Sequence, residues 1–135
     1  MSDESKYRIK LEDVLFNEPW EVEVPGVGTV LVRDPTERDR IEARKAAKKH
    51  PLWNELSDVE KSAEIQKHLA RIMLVDPKIS EEEYFKANSK IMDAILDTVS
   101  MVYMKKVNEL TKKRQELIRD FLEALKEGNL LSSGS

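Results

Sequence analysis

Few residues of this 135-residue chain have the types and spacing that chemistry requires. Its two histidines, His50 and His68, do not stand in a His-Glu-x-x-His arrangement, and the residue four positions after His68 is Ile72. A metal or proton-transfer site needs several converging groups. We therefore expect structural roles for both, with His50 at a helix end and His68 on a helix flank.

Two further patterns could bind a ligand. Asp93 and Asp97 lie one helical turn apart, as two metal ligands would, but no third acidic or histidine ligand is close in sequence and Lys90 adjoins them. A solvated acidic face is the favoured interpretation. The glycine-rich stretch 25–28 joins two predicted strands and does not open a helix, which argues against phosphate binding. The sequence thus predicts no catalytic residue, metal or cofactor, and we expect a non-enzymatic protein.

Composition narrows the class of protein. Charged residues make up 36% of the chain, the formal net charge is −3 and there is no cysteine. The charge favours neither nucleic acid nor an acidic membrane, and disulfide and thiolate chemistry are excluded. Because no apolar run approaches eighteen residues and 1–10 lacks a signal-peptide pattern, we expect a cytoplasmic protein that does not associate with membranes.

The sequence before the helices predicts a β-hairpin. Residues 1–19 are expected to be loosely ordered, with a short helical turn or docking segment formed by Leu11, Val14, Leu15 and Phe16. Residues 21–33 alternate in polarity around Pro-Gly-Val-Gly, which indicates a hairpin at 21–33. A lone hairpin is marginal in water, so it must lie on helices or join another sheet edge.

Three motifs mark helix starts. Asp34 is the expected N-cap of a helix running to about Lys49, with Pro35 at its first position and Glu37 completing a capping box. Ser57 and Ser80 open two further capping boxes, and the helix after Ser57 is expected to run through Leu74. The predicted inward residues are Ile41, Ala43, Ala46 and Ala47 in the first helix and Ala63, Ile65, Leu69, Ile72 and Met73 in the second.

A long amphipathic helix is predicted over 88–127 and ended by Gly128. Forty residues would span about 60 Å, which is more than the width of a compact domain of this size. Part of the helix must therefore project from the domain, pair with another chain or be broken. A break is most expected at 108–114, where the apolar stripe is thinnest. The predicted fold is mainly α, a β-hairpin followed by about four helices with the last one long. It forms a single helical domain over 20–128, and 129–135 is a polar tail.

The long helix carries more apolar surface than one small domain can cover. The half of the helix up to Tyr103 is explained as well by a domain core as by a binding surface. The distal stripe is harder to bury within the domain; it consists of Leu117, Ile118, Phe121, Leu122 and Leu125. Helix-in-groove recognition or self-association would use such a stripe. The candidate partner-binding residues are Tyr103, Val107, Leu110, Leu117, Ile118, Phe121, Leu122 and Leu125.

Nucleic-acid binding is the alternative function. Basic residues outnumber acidic ones seven to four over 33–50 and five to one over 105–114. Of these bases, the ones that would contact phosphate are Arg38, Arg40, Arg44, Lys48, Lys112, Lys113 and Arg114. Interleaved acids and the lack of stacking aromatic residues disfavour this function, and solvated helix faces explain the pattern better.

Three stretches of the sequence carry a resemblance to a known family. The runs VEVPGVGTVLVRDPTERDRIEARKAAKKHPLWNEL, MLVDPKISEEEYF and ILDTVSMVYMKKVNELTKKRQELIRDFLEALKEG resemble the tail assembly chaperones of long-tailed phages and of defective prophages of Gram-positive bacteria, the XkdN-like group. The resemblance covers 21–128 and rests on structural motifs without a catalytic fingerprint.

The resemblance implies a small, mainly helical, non-enzymatic protein of the infected cell's cytoplasm. Proteins of that family bind the long, aggregation-prone tape measure protein and help recruit tail tube subunits during tail morphogenesis. They are typically absent from the finished virion. In this chain the resemblance implies client contact on the distal stripe of the long helix.

Overall fold

The computed structural model describes residues 18–133, with side chains described for 18–128. The described chain contains strands β1 (Trp20–Val24), β2 (Gly28–Val32) and β3 (Leu74–Asp76) and helices α1 (Glu37–Ala47), α2 (Asp58–Met73), α3 (Glu81–Lys86) and α4 (Ser89–Ser133). A short 3₁₀ turn spans Trp53–Glu55. The predicted mainly α fold, a hairpin followed by four helices with a long last one, is confirmed. The proposed docking segment at 11–16 lies outside the described residues.

The hairpin forms because its turn and its alternation agree. The amide of Val27 donates to the Val24 carbonyl at 3.0 Å, and Gly26 has a φ of 75°. With Pro25 before it, this is the pattern of a type II turn, whose third position favours glycine. The strands pair antiparallel with Trp20 opposite Val32 and Val22 opposite Val30. Alternation buries one face of the hairpin: Val22, Val24, Val30 and Val32.

A third strand, which the sequence prediction missed, extends the hairpin into a sheet of order β1-β2-β3. The helix expected to run through Leu74 ends at Met73, and β3 begins at once. Leu74 lies opposite Val32 in antiparallel pairing, and the amide of Arg33 donates to the Met73 carbonyl at 2.9 Å. The hairpin therefore pairs with another strand. This is one of the two arrangements expected for a hairpin of marginal stability, the other being packing on helices.

The start of α1 lies later than predicted. Its N-cap is Thr36, whose hydroxyl accepts from the Asp39 amide while the Asp39 carboxylate accepts from the Thr36 amide. Asp34, the expected cap, instead accepts from the Trp20 indole at 2.9 Å. The Thr36 box prevails because Asp39 also binds Arg33 at the end of β2, which ties the helix start to the sheet.

The capping boxes at Ser57 and Ser80 are confirmed, and each serine hydroxyl accepts from the amide three residues on. The inward faces were predicted less well. In α1 the three alanines are buried but Ile41 is exposed. In α2, Leu69 and Met73 are buried, Ile65 and Ile72 are partly exposed, and Ala63 is exposed, because the buried positions of α2 lie in its C-terminal half.

The core joins the sheet to the helices. Helices α1 and α2 pack against each other, and small buried alanines let helix backbones approach closely. The buried apolar residues of the helices and β3 are Ala43, Ala46, Ala47, Leu69, Ala70, Met73, Leu74, Met92, Ile95, Leu96 and Val99.

The chain divides into two units, 1–100 and 101–135. Helix α4 is continuous through 108–114, so the stretch expected to be weakest is not broken. The helix also passes Gly128, which does not adopt a positive φ, and so Gly128 does not end it. Glycine costs only about 1 kcal/mol relative to alanine in a helix interior, too little to stop a long helix by itself.

Candidate functional site

An exposed apolar surface lies on the second unit. We define the distal face as Leu110, Leu117, Ile118, Phe121, Leu122 and Leu125. Their side chains are between 43% and 70% exposed. Among 101–128, no described residue is buried.

The distal face is contiguous from Leu117 to Leu125 because of its spacing. Leu117, Phe121 and Leu125 follow at four-residue intervals, and Ile118 and Leu122 form a parallel row, so neighbours meet along the helix surface. Of the other predicted partner-binding residues, Tyr103 and Val107 are only partly exposed. The structure thus gives six of the eight candidates an exposed position, while Met92 and Val99, earlier in the same stripe, are core.

Charged residues occupy the side of α4 opposite the distal face. Glu116, Asp120 and Glu123 lie away from it, and Arg119 pairs with Asp120 at 3.9 Å. Exposed apolar patches rimmed by polar residues commonly mark protein-interaction sites. The arrangement offers a surface for another helix or groove and places no reactive groups on it.

Sequence reasoning missed a buried polar cluster on α2 and α3. His68 is 1% exposed, and its Nδ1 accepts from Arg71 Nε at 3.3 Å. Its Nε2 lies 3.6 Å from a Glu64 carboxylate oxygen, and its ring centroid lies 4.8 Å from that of Tyr84. The spacing of Glu64, His68 and Arg71 on one helix face was a signal for part of this cluster; Tyr84, on another helix, left none.

Burial sets the charge states in this cluster. It lowers the pKa of His68, and the Arg71 guanidinium lowers it further. Burial likewise lowers the pKa of Arg71. Burial, followed by the Glu64 carboxylate, raises the pKa of Tyr84 to about 12. The cluster is therefore a buried neutral imidazole held beside one guanidinium, a partly buried neutral phenol and the Glu64 carboxylate, which suits a packing role.

Arg71 also lines an open cleft. The cleft has a volume of about 450 Å³ and mixes cationic and anionic side chains, among them Arg33, Lys78 and Glu83. Arg71 donates to the Ile79 carbonyl at 3.3 Å, which fixes the loop before α3. With both signs of charge interleaved, the cleft selects no ligand class.

The remaining chemistry candidates fall into structural positions. The amide of Leu52 donates to His50 Nδ1 at 3.0 Å, within the turn after α1. Lys67 lies 3.8 Å from Asp93, and Asp97 is exposed. Within the described part of the chain, no three histidine, cysteine or acidic residues gather as a metal site would require.

Acidic partners accompany several of the basic residues considered for nucleic acid. Arg38 Nε lies 3.3 Å from Glu42, and Lys49 Nζ lies 3.2 Å from Glu81. Arg33 is bound by the Asp39 carboxylate, which raises the arginine's pKa. These pairs reduce the positive potential that a phosphate backbone would meet on α1.

No family model matches this chain, and neither does any curated protein or solved structure. Among the described residues, no helix combines the length and apolar character needed to cross a membrane.

Proposed function

We propose that this protein is a non-enzymatic tail assembly chaperone of a phage or prophage, which binds the tape measure protein and helps recruit tail tube subunits. The observation that carries the proposal is the distal face, an apolar surface left exposed on a highly charged chain. The family resemblance over 21–128 supplies the client. The proposed site of action is the host cytoplasm, and the proposed chaperone leaves before the virion is complete.

The chemistry of such a client fits this surface. A long helical protein exposes apolar stripes until its own assembly covers them, and a chaperone must cover those stripes reversibly. Helix-on-helix contact does so through residues at i, i+3, i+4 and i+7. The distal face presents apolar side chains at these intervals.

The size of the distal face is adequate for a reversible complex. Fully burying a Leu, Ile or Phe side chain contributes roughly 1.5–3 kcal/mol, and association costs roughly 4–15 kcal/mol. Six partly exposed side chains can therefore offset the cost of association without making release impossible.

Co-expression tests the proposal. The partner is the long, coiled-coil-rich protein encoded immediately downstream, expressed alone and together with this chain, followed by pull-down and size-exclusion chromatography with light scattering. We expect a soluble complex containing a partner that is insoluble alone. A partner that stays insoluble, with this chain eluting by itself, would refute the chaperone function.

A further inference from the structure

One cationic side chain interrupts the distal face. At about 100° per residue, Arg114 lies on the same side of α4 as Leu110, Leu117 and Phe121. The positions three and four residues away on the helix surface are Leu110, Thr111, Leu117 and Ile118. None of these can accept a charged hydrogen bond as a carboxylate would.

Arg114 has no ionic partner among the described residues, although Arg119 on the same helix pairs with Asp120. Its side chain is exposed, so the isolated protein keeps the guanidinium hydrated. A partner that covers the distal face would remove that water. An unpaired charge buried in this way is strongly destabilising, and a carboxylate on the partner is the group best suited to offset that cost.

A second copy of the distal face cannot supply that anion. A parallel in-register pair, or an antiparallel pair centred on this position, would place Arg114 against Arg114. In other registers the acids of 101–128 are on the wrong side, since each lies at least about 120° around the helix from Arg114; the two earlier acids of α4, Asp93 and Asp97, belong to the first unit. The acids of 101–128 are Glu109, Glu116, Asp120, Glu123 and Glu127.

We infer that the distal face is built for a helix of a different chain, one whose apolar seam contains a single Asp or Glu opposite Arg114. The guanidinium fork binds a carboxylate in two parallel hydrogen bonds, so this pair would set the register of the complex as a polar residue does in a coiled-coil seam. It would also disfavour self-association. The inference deepens the proposed function and rests on it for one point, the identity of the client as a tape measure protein.

Analytical ultracentrifugation of the 135-residue chain tests this inference without a known client. The samples are the natural chain, R114L, R114E, and an equimolar mixture of the natural chain with R114E, each over a concentration series. We expect R114L to self-associate at least about tenfold more tightly than the natural chain, because no charge interrupts its distal face. We also expect the mixture to associate more tightly than either component alone, because it sets Arg against Glu.

Lys112 provides the matched control, since it is exposed and lies on the opposite side of α4 from Arg114. K112L and K112E make the same changes in charge and should leave self-association unchanged. The inference is overturned if the natural chain self-associates as tightly as R114L, or if the mixture associates no more tightly than its components.

The client complex separates failure of the inference from failure of the proposed function. If the natural chain captures the downstream helical protein, R114E should weaken capture at least about tenfold and K112E should not. If R114E captures the client as strongly as the natural chain does, the inference is overturned and the proposed function still holds. Absence of capture by the natural chain refutes the proposed function, and the sedimentation result still decides whether the seam selects an acidic helix.

Discussion

The buried pair formed by His68 and Arg71 depends on the imidazole remaining neutral. Its Nδ1 accepts a hydrogen bond from Arg71 Nε, and a protonated ring would have no acceptor to offer. Lys49 also lowers the pKa of His68, while Glu64 and Glu81 raise it. Burial and Arg71 prevail, so the folded chain resists protonation at this site.

This pair predicts a loss of stability in mild acid. The pKa of His68 in the folded chain is below its ordinary value of about 6.5. As the pH falls below about 6.5, the unfolded chain therefore binds a proton at His68 while the folded chain does not. Stability from this group is complete above that pH and decreases below it, by at most about 1.4 kcal/mol per pH unit. Urea unfolding between pH 7.5 and 5 should show the slope, and H68Q should reduce it. An equal slope in H68Q would contradict this role.

Asp39 serves two elements with one carboxylate. Burial raises its pKa, but hydrogen bonds from Arg33 and from the Thr36 amide and hydroxyl together outweigh burial and hold the pKa below its usual value. The ionised carboxylate thus caps α1 and anchors Arg33 at the end of β2.

We expect D39A to lower the free energy of unfolding by about 2 kcal/mol, since it removes the acceptor that the Thr36 amide has in the capping box and leaves Arg33 without its carboxylate. E37A is the matched control: Glu37 is an exposed acid at the same helix start, and its loss should cost within about 0.5 kcal/mol. Chemical denaturation at neutral pH measures both. Equal effects would mean that the Arg33 link contributes nothing.

At the scale of elements, local signals in the sequence were read more reliably than contacts between elements. The boxes at Ser57 and Ser80 involve residues three apart and were predictable. At α1 two residues could cap, Asp34 and Thr36, and the choice depends on Arg33 and Trp20, which become neighbours only in the fold. Three residues of β3 are too few to show alternation, so the third strand left no sequence signal.

The candidate site was predictable to the same extent. Periodicity placed Leu117 and Phe121 on one helix face, but the same periodicity runs through Leu96 and Val99, which are core. Sequence cannot tell where along a continuous stripe the covering elements stop. The burial pattern locates that change before Met101.

Helix α4 therefore offers a matched pair of substitutions. Leu96 is 0% exposed and Leu117 is 70% exposed, in the same helix and with the same side chain. We expect L96A to lower the free energy of unfolding by about 2–5 kcal/mol and L117A to change it by no more than about 0.5 kcal/mol. Denaturant unfolding of the two variants decides this, and comparable losses would show that the distal face is part of a core.

At the scale of the whole molecule, the buried core and the proposed binding surface fall on different parts of the chain. The buried apolar residues of the described chain all lie within the first unit, 1–100. The described side chains of the second unit contribute none. A protein with this division can lose its binding surface without losing its fold.

The central claim is that the distal face binds a helical client and is not needed for folding. The most direct measurement combines co-purification with the downstream helical protein and thermal melting by circular dichroism, on the natural chain and on a variant carrying L117D and F121D. We predict an unchanged helical signal and cooperative melt together with loss of client capture, because two carboxylates would be buried in the complex. A collapsed melt in the variant, or undiminished capture of the client, would contradict the account.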